Sequence, residues 1–388
     1  MRFGVLYFPF GLMVGVPSVA LGWMATRAGL PVSATATIVG TAFLPHSWKF
    51  LWAPVGDVTL SRKRWYLLAV SVVAASLFGL CTVPLTAATL PLVTAIVFTG
   101  NVAGTFVAFA VEGLMAHNTG AHGRGRAAGW FQTGNMVGQT AGGGLALFLL
   151  NRAPAPWMAG TALATLVACC ALALLRVEEA PPVVGARLGD RLREAGREIR
   201  RVLSGIDGRL ALLLAFLPIG TGASQFLFSA IAPQWAMTAE RTAVVLGLAA
   251  GAAIAIGTVT GGWLSDRLTR RSAYALVCAV QVLAVLALWL SPRTPWAFTV
   301  VTLGYTASLG ACTGALTGMV LDLVGEGATA TKMNLFIALN TMGGLAMIKF
   351  AGMAHDRGGV DGLFLAEAAV AGACILLFLL VARQVRRA

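Results

Sequence analysis

The chain has 388 residues, of which 58% are hydrophobic and only 11% are charged, and its mean hydropathy is +0.81. Soluble domains carry roughly 25% charged residues, so this composition excludes an ordinary soluble domain. The formal net charge of +13 suggests a nucleic-acid partner until the positions of the basic residues are considered.

Long apolar runs follow one another along the whole chain. A membrane-spanning helix needs about 20 mostly apolar residues. The sequence contains about twelve such runs, which we number spans 1 to 12: residues 3–26, 33–56, 65–87, 91–116, 127–150, 155–176, 208–235, 242–264, 272–290, 296–323, 332–354 and 360–383. They predict an all-α membrane protein with twelve transmembrane helices. Span 1 is too long for a signal peptide, so we expect it to remain uncleaved.

The 28 Lys and Arg residues are distributed unevenly between the connecting segments. If the N-terminus is cytoplasmic, 21 of them fall on cytoplasmic segments, five fall outside, and two lie within spans. This asymmetry is the positive-inside pattern. The basic charge therefore reflects topology rather than nucleic-acid binding, and we expect a multi-pass protein of the cell inner (plasma) membrane with both termini in the cytoplasm.

Span 2 contains the stretch LPHSWKFLWAPVGD, residues 44–57, in which ionisable residues interrupt an apolar run. His46 and Lys49 are three residues apart and therefore share one face of a helix, just after Pro45, which should kink it. Ionisable residues inside a span are costly unless they reach water, find a partner or serve a substrate path. We interpret both as lining a cavity that binds an anionic group of a solute. The alternative is that Lys49 extends about 12 Å to the cytoplasmic interface.

Neutral polar residues and a second lysine at mid-depth extend this candidate substrate site. They are Gln132, Asn135 and Gln139 in span 5, Ser224 and Gln225 in span 7, Tyr305 in span 10, and Asn340 and Lys349 in span 11. Two lone lysines, one in each half of the chain, favour an anionic solute. The alternatives are hydrogen bonds between helices for the polar residues and extension of Lys349 to the interface.

The two halves of the sequence repeat each other at an offset of 205 to 210 residues. Pro9 and Gly11 correspond to Pro218 and Gly220, Asp57 to Asp266, Glu112 to Asp322, and Phe131, Asn135 and Gly138 to Phe336, Asn340 and Gly343. We therefore expect two pseudo-symmetric six-helix bundles, at residues 1–176 and 208–388. The linker, residues 177–207, has apolar residues at helical spacing among arginines, which predicts an amphipathic helix on the anionic membrane lipid of the cytoplasmic leaflet.

The loop sequence GGWLSDRLTRR, residues 261–271, resembles the signature loop of the major facilitator superfamily, and APVGDVTLSRKRW in the first half is a partial copy. The 44–57 stretch is similar to span 2 of the branch that contains anhydromuropeptide permeases and acetyl-CoA transporters. Siderophore importers of related type have a compact length and a similar span 2. The resemblance implies the major facilitator fold and transport by rocking of the two bundles.

The same resemblance implies a cytoplasmic gate in each half. In the first half the gate would join Asp57 with Arg62 or Arg64 and with Glu112. In the second half it would join Asp266 with Arg267 or Arg270 and with Asp322. Glu112 and Asp322 could instead relay protons, and Glu367 is a weaker relay candidate because span 12 is usually peripheral in this fold. The sequence shows no carboxylate that we expect to be buried at mid-depth.

These features predict a secondary active transporter that imports an anionic organic solute together with protons. A muropeptide-like sugar-peptide is the favoured solute and a siderophore is the next. The span-5 stretch GNMVGQTAGG, residues 134–143, resembles the glycine pattern of drug–proton antiporters, which keeps efflux open, although small residues every fourth position also let helices pack closely. A non-transporting assembly factor is the remaining alternative.

We expect no enzyme activity and no cofactor. The chain lacks a phosphate-binding G-x-x-x-x-G-K-[ST] loop, and no nucleophile–base constellation is recognisable. His117 and His122 lie on a glycine-rich loop without a third ligand, so we predict no metal site. We expect the protein to be a monomer.

Overall fold

The structure is a computed structural model that describes residues 1–48, 59–119, 124–179, 193, 197, 216–324 and 329–384. Within these ranges the side chains of residues 124–126, 128–129, 317–324, 329–337 and 381–384 are not described. Lys49, Asp57 and most of the linker helix predicted within residues 177–207 fall outside the described residues, as do the side chains of Asp322 and Phe336.

The described part of the first half consists of helices joined by short turns and irregular segments. Span 1 forms one rod, Arg2–Arg27, with a π-helical turn at Val16–Leu21. The following helices are Val32–Phe43 with a 3-10 turn at Leu44–Ser47, Arg62–Thr82, Leu90–His117, Arg124–Val137, Gly143–Arg152 and Pro156–Cys170. A π-helical turn at Gly138–Gly142 joins the two helices of span 5, and a 3-10 turn at Ala171–Arg176 ends span 6.

The second half begins with short helical pieces and continues with long helices. Span 7 contains Ala223–Leu227, Phe228–Ile231 and Ala232–Trp235. The remaining helices are Ala239–Ala243, a π-helical turn Val244–Ala249, Ala250–Arg267, Arg270–Leu290, Pro295–Val324 and Thr329–Gln384. The last of these combines spans 11 and 12, which meet at the non-helical residues Gly358 and Gly359.

Eight helices of the described residues are long and apolar enough to cross a membrane. Fewer than twelve stand out because spans 5 and 7 are interrupted, span 2 is described only to residue 48, and spans 11 and 12 run together. The described residues form helices and turns and no strand, as the predicted all-α fold class requires.

By its internal contacts the chain divides into two units. Unit 1 comprises residues 1–30, 37–195 and 239–248, and unit 2 comprises residues 31–36, 196–238 and 249–388. Each unit thus includes a short segment from the other half of the sequence. In unit 1 Arg152 donates to Glu240 at 2.7 Å, and in unit 2 the Ser33 amide donates to Asp356 at 3.3 Å.

Spans 1 and 5 of unit 1 pack with their backbones in contact because glycines line both helices. A Cβ atom added at Gly11 would collide with the Asn135 carbonyl oxygen, and one at Gly138 would lie 2.5 Å from the Phe8 carbonyl oxygen. Such close approach is open to glycine alone. The glycine spacing of residues 134–143 therefore has a packing explanation inside unit 1.

In unit 2, spans 8 and 10 interlock through the same device. Gly257 and Gly261 of span 8 face the carbonyl oxygens of Ala307 and Ala311 so closely that a Cβ atom would collide with them. Gly310 and Gly314 of span 10 face span 8 in the same way. Spans 8 and 10 therefore pack with their backbones in close contact along both helices.

Two corresponding tyrosines, 208 residues apart, make similar contacts in the two units. The Tyr66 hydroxyl donates to the carbonyl of Leu6 in span 1 at 3.0 Å, and the Tyr274 hydroxyl donates to the carbonyl of Ile219 in span 7 at 2.9 Å. The helices that carry these tyrosines begin with hydroxyl caps, Ser61 and Thr269. The spans in contact are therefore repeated, although the acceptor carbonyls lie at positions that differ by about one helical turn.

Candidate functional site

Unit 1 places the span-2 histidine inside its own helix packing. Pro45 begins a 3-10 turn, Leu44–Ser47, which tightens the end of the preceding helix. The His46 ring packs edge-to-face on Phe10 of span 1 with 5.0 Å between ring centroids. Its Nε2 lies 3.5 Å from Oδ1 of Asn101 in span 4, whose amide donates to the Val97 carbonyl at 2.9 Å. His46 therefore faces spans 1 and 4.

Span 5 presents a second polar pair in unit 1. The Gln139 side chain donates to Oδ1 of Asn135 at 2.8 Å, one helical turn away. Asn135 is buried, and Gln139 is half-buried against the glycine-lined face of span 1. Gln132, one turn before Asn135, is exposed. Asn135 and Gln139 therefore lie on one face of span 5.

Unit 2 contains a buried carboxylate that joins three spans. Glu367 of span 12 is only 4% exposed. Its Oε2 accepts hydrogen bonds from the Ser224 amide of span 7 at 3.0 Å and from the Ser224 hydroxyl, and its Oε1 accepts one from the Tyr305 hydroxyl of span 10 at 2.7 Å. The sequence did not lead us to expect a buried carboxylate in span 12. Glu367 is buried because its side chain points toward spans 7 and 10.

Ser224 and Tyr305, the hydrogen-bond partners of Glu367, have different surroundings from those that the sequence suggested. Ser224 and Tyr305 were expected to face a solute, but both are fully buried and their hydroxyls donate to Glu367. The Ser308 hydroxyl lies 2.7 Å from the Tyr305 carbonyl oxygen and 2.5 Å from Oε1 of Gln281 in span 9, and it donates its single proton to one or the other. Of the alternatives considered for Ser224 and Tyr305, the structure shows the interhelical hydrogen bonds.

The chain is not helical immediately before Ser224. Residues 217–222 form an irregular segment between Phe216 and the 3-10 turn Ala223–Leu227. Gly220 and Gly222 adopt left-handed backbone angles, with φ of 63° and 66°, which glycine adopts without steric cost. Span 1, which carries the corresponding Pro9 and Gly11, stays helical throughout. Only one of the two repeated spans is therefore broken.

The predicted gate residues of unit 1 that the structure describes lie where the start of span 3 packs against the end of span 4. The Arg62 guanidinium stacks 3.7 Å above the Phe109 ring and donates to the Phe109 carbonyl at 3.1 Å. Gly113 makes room for it, since a Cβ atom there would lie 2.8 Å from Arg62 Nε. Glu112 is exposed beside this contact, and Arg64 is exposed at the start of span 3.

The corresponding residues of unit 2 follow span 8. Asp266 and Arg270 form an ion pair at 3.0 Å on one helix face, and Arg267 lies 4.1 Å from the centroid of the Trp263 ring. The ion pair is exposed, so it contributes little stability by itself. Asp266 thus pairs with Arg270 on its own helix face. The side chain of Asp322 lies outside the described residues, and the gate role of this cluster stays a prediction.

Three further candidates lie in spans 7 and 11. Gln225 and Asn340 are half-buried, and Lys349 is exposed on the surface of unit 2. The Gln225 Oε1 atom is buried without a hydrogen-bond partner. Within the described ranges, no group of three or more His, Cys, Asp or Glu side chains is positioned to hold a metal ion.

Sequence reasoning identified Ser224, Tyr305 and Glu367 separately but did not join them. The available signal was that these three polar residues interrupt spans 7, 10 and 12, and buried polar groups seek partners. Their sequence separations are 143 and 62 residues. No local pattern gives the rotation of three helices about their axes, which decides that their side chains meet.

The described residues form helices in two units, and the corresponding spans of the two units make similar contacts. This architecture is that of a duplicated helical membrane protein. The family description "Major Facilitator Superfamily" matches residues 3–348. The chain belongs to the major facilitator superfamily, and it is a secondary transporter rather than an enzyme.

Solved structures of the same fold cover almost the whole chain. A mutant of the nucleoside transporter NupG superposes with a TM-score of 0.75 at 12% identity, covering 97% of this chain and 98% of that one. A D-xylose–proton symporter gives a TM-score of 0.74 at 14% identity, with 97% and 95% covered. A bacterial homologue of the human lysosomal transporter Spinster gives 0.70 at 16% identity, with 98% and 94% covered. No curated protein sequence matches the chain.

Proposed function

We propose that the protein is a proton-coupled importer of an anionic organic solute that works by rocking-bundle alternating access. The observation that carries the proton coupling is the burial of Glu367 among Ser224 and Tyr305. A carboxylate inside a span is expensive and marks ion or proton paths in membrane proteins. The name of one structural neighbour, the D-xylose–proton symporter, supports the same coupling.

The Glu367 environment fits a group that gains and loses a proton. Its described partners are neutral hydrogen-bond donors, and none of the ion pairs among the described residues includes it. An uncompensated buried charge is unfavourable, whereas hydrogen bonds to the oxygens favour the ionised form. These opposing effects make both protonation states accessible, as proton coupling requires.

The solute class is proposed from span 2. His46 packs toward spans 1 and 4, and Lys49 follows it by one helical turn in the sequence. A basic group at this position would bind an anionic group of the solute. The resemblance of residues 44–57 to anhydromuropeptide permeases favours a muropeptide-like sugar-peptide. The names of two neighbours, a nucleoside transporter and a D-xylose–proton symporter, support a solute with a polar ring.

The cytoplasmic gate is proposed in two clusters. In the first half, Arg62 rests on span 4 next to Glu112, which favours Arg62 over the exposed Arg64 as the gate arginine. In the second half, the Asp266–Arg270 pair would be joined by Asp322. Closure of these clusters would seal the cytoplasmic side of the solute path. We place the protein in the inner membrane as a monomer, with both termini in the cytoplasm.

The test is uptake of labelled anhydromuropeptide into proteoliposomes, with and without an imposed proton gradient, for the wild type and Lys49→Gln. Gradient-driven uptake that is lost in the variant supports both the solute class and the role of Lys49. Uptake that the variant retains assigns Lys49 to the membrane interface instead. No uptake by a folded wild type contradicts the muropeptide assignment, and ferric siderophores are then the solutes to test.

The antiporter alternative is weaker after the structure is considered. Its sequence support was the glycine spacing of residues 134–143, which the contact of span 5 with span 1 explains. A drug-accumulation assay in intact cells separates efflux from import. A stable protein partner that co-purifies with the chain, together with no solute flux, would instead identify an assembly factor.

A further inference from the structure

We infer that Glu367 is a proton-controlled clamp on the break in span 7, so that its protonation loosens the helix that starts at this break. The inference deepens the proton coupling proposed above and rests on it for its role in transport. Its structural part, a link between Glu367 and the break, can be measured without any solute.

The break is a built feature of unit 2. Ile219, in the middle of the irregular segment 217–222, is buried, and its carbonyl accepts the Tyr274 hydroxyl at 2.9 Å. A Cβ atom at Gly222 would lie 2.6 Å from the Leu309 side chain, and one at Gly220 would lie 2.9 Å from Cys312 Cβ. Span 10 therefore packs directly against the break. Both glycines are favoured by their left-handed backbone angles, and Gly220 is also required by space, because the Cβ atom of Cys312 cannot rotate away.

Glu367 holds the other side of the break. Ser224 is the second residue after Gly222, so its amide is among the first in the new helical segment. The first amides of a helical segment have no partner within it. The Glu367 carboxylate accepts this amide at 3.0 Å together with the Ser224 hydroxyl, and it is itself held by Tyr305. The carboxylate thus links the start of span 7's helical part to spans 10 and 12.

Protonation changes this link directly. Hydrogen bonds to an ionised carboxylate are roughly twice as strong as bonds between neutral groups. A proton on Glu367 also turns one of its acceptor oxygens into a donor. That oxygen then faces hydroxyl groups of Ser224 and Tyr305 that had been donating to the carboxylate. Both effects weaken the hold on the Ser224 amide. The segment 217–227 then gains freedom to move against span 10, as a helix that opens and closes a transport path must.

Few other titratable groups lie close to Glu367 among the described residues, so few could produce a pH response of their own at the break. Tyr305 on span 10 is the titratable group in hydrogen-bond contact with Glu367, and Ser224 on span 7 is neutral. On span 9, Gln281 and Tyr274 contact Ser308 and Ile219 rather than the carboxylate. Tyrosine is neutral up to about pH 10, but a histidine ordinarily titrates between about pH 5 and about pH 8, and His355 lies 3.2 Å from Gln234 at the end of span 7. The Glu367→Gln variant therefore assigns the change to the carboxylate, because it leaves His355 in place.

The experiment is hydrogen–deuterium exchange of the full chain in lipid nanodiscs, read on the peptide covering residues 217–227. Exchange corrected for the intrinsic rate should be ~10-fold faster at about pH 5 than at about pH 8 in the wild type, because the charge-assisted bonds are lost. Glu367→Gln should give the fast rate at both values. Asp361→Asn, the same chemical change on span 12 at an exposed residue, should behave as the wild type.

Two results would overturn the inference. One is a wild-type peptide with the same corrected exchange at both pH values, and the other is a Glu367→Gln protein that keeps the wild-type response. If Glu367→Gln does not fold, Tyr305→Phe serves instead, since it keeps the carboxylate and should raise exchange at high pH while preserving a pH response. Because no solute is present, failure of the muropeptide uptake test leaves this measurement unaffected.

Discussion

Tyr305 and Glu367, 62 residues apart in the sequence, share a hydrogen bond of 2.7 Å inside unit 2. Tyr305 also packs edge-to-face on Phe228 of span 7 with 5.0 Å between ring centroids. Span 10 is therefore attached to span 12 by a polar contact and to span 7 by an aromatic one. The carboxylate at the centre of this arrangement is the residue on which the proposed coupling depends.

Removing the charge at Glu367 should separate coupling from solute movement. Glu367→Gln keeps the size of the side chain but cannot release a proton. We expect concentrative uptake driven by a proton gradient to fall at least ~10-fold, since electrostatic partners of this kind are worth a kcal/mol or more. Exchange of solute for solute across the membrane should continue. Counterflow in proteoliposomes measures the exchange, and loss of both activities would argue against a coupling role.

Spans 8 and 10 should be sensitive to a single added methyl group. Gly261→Ala places a Cβ atom against the Ala311 carbonyl oxygen, and backbone cannot move aside cheaply. We expect a loss of about 1–3 kcal/mol, the usual cost of overpacking. Gly262→Ala is the matched control, because nothing lies within 4 Å of its new Cβ atom. Thermal unfolding of the purified protein in detergent measures both, and equal melting temperatures would contradict the packing described here.

The Arg62 contact with span 4 should require a guanidinium group. Arg62→Lys keeps the positive charge but loses the planar group that stacks on Phe109 and donates to its carbonyl. A cation–π contact at such a site contributes about 0.5–1 kcal/mol, so transport should fall by a few-fold. Arg64→Lys, at an exposed position two residues away, should transport at the wild-type rate. Initial uptake rates compare the two, and equal effects would remove Arg62 from the gate.

The break in span 7 should tolerate alanine poorly at Gly220. There the new methyl group meets a left-handed backbone and also the Cβ atom of Cys312 at 2.9 Å. Gly29→Ala is a control for the backbone alone, because its φ is 72° and nothing lies within 4 Å. We expect Gly29→Ala to cost about 1 kcal/mol and Gly220→Ala clearly more. Equal losses of thermal stability would show that span 10 does not restrict the break.

The sequence by itself predicted the features that depend on local composition. Apolar length gave the membrane-spanning helices, and the repeated residues gave a duplicated fold, which the contacts of Tyr66 and Tyr274 repeat in three dimensions. These predictions succeed because the cost of placing polar backbone or charge in lipid is set by each segment alone.

Only the tertiary structure decided which polar side chains meet. Pro9 and Gly11 are repeated as Pro218 and Gly220, yet only span 7 is broken. Glu367 looked peripheral in the sequence but is buried against Ser224, 143 residues away. Hydropathy shows which segments span the membrane. The rotation of each helix about its own axis depends instead on packing with helices that are distant in the chain. That rotation brings Ser224, Tyr305 and Glu367 into one hydrogen-bonded cluster.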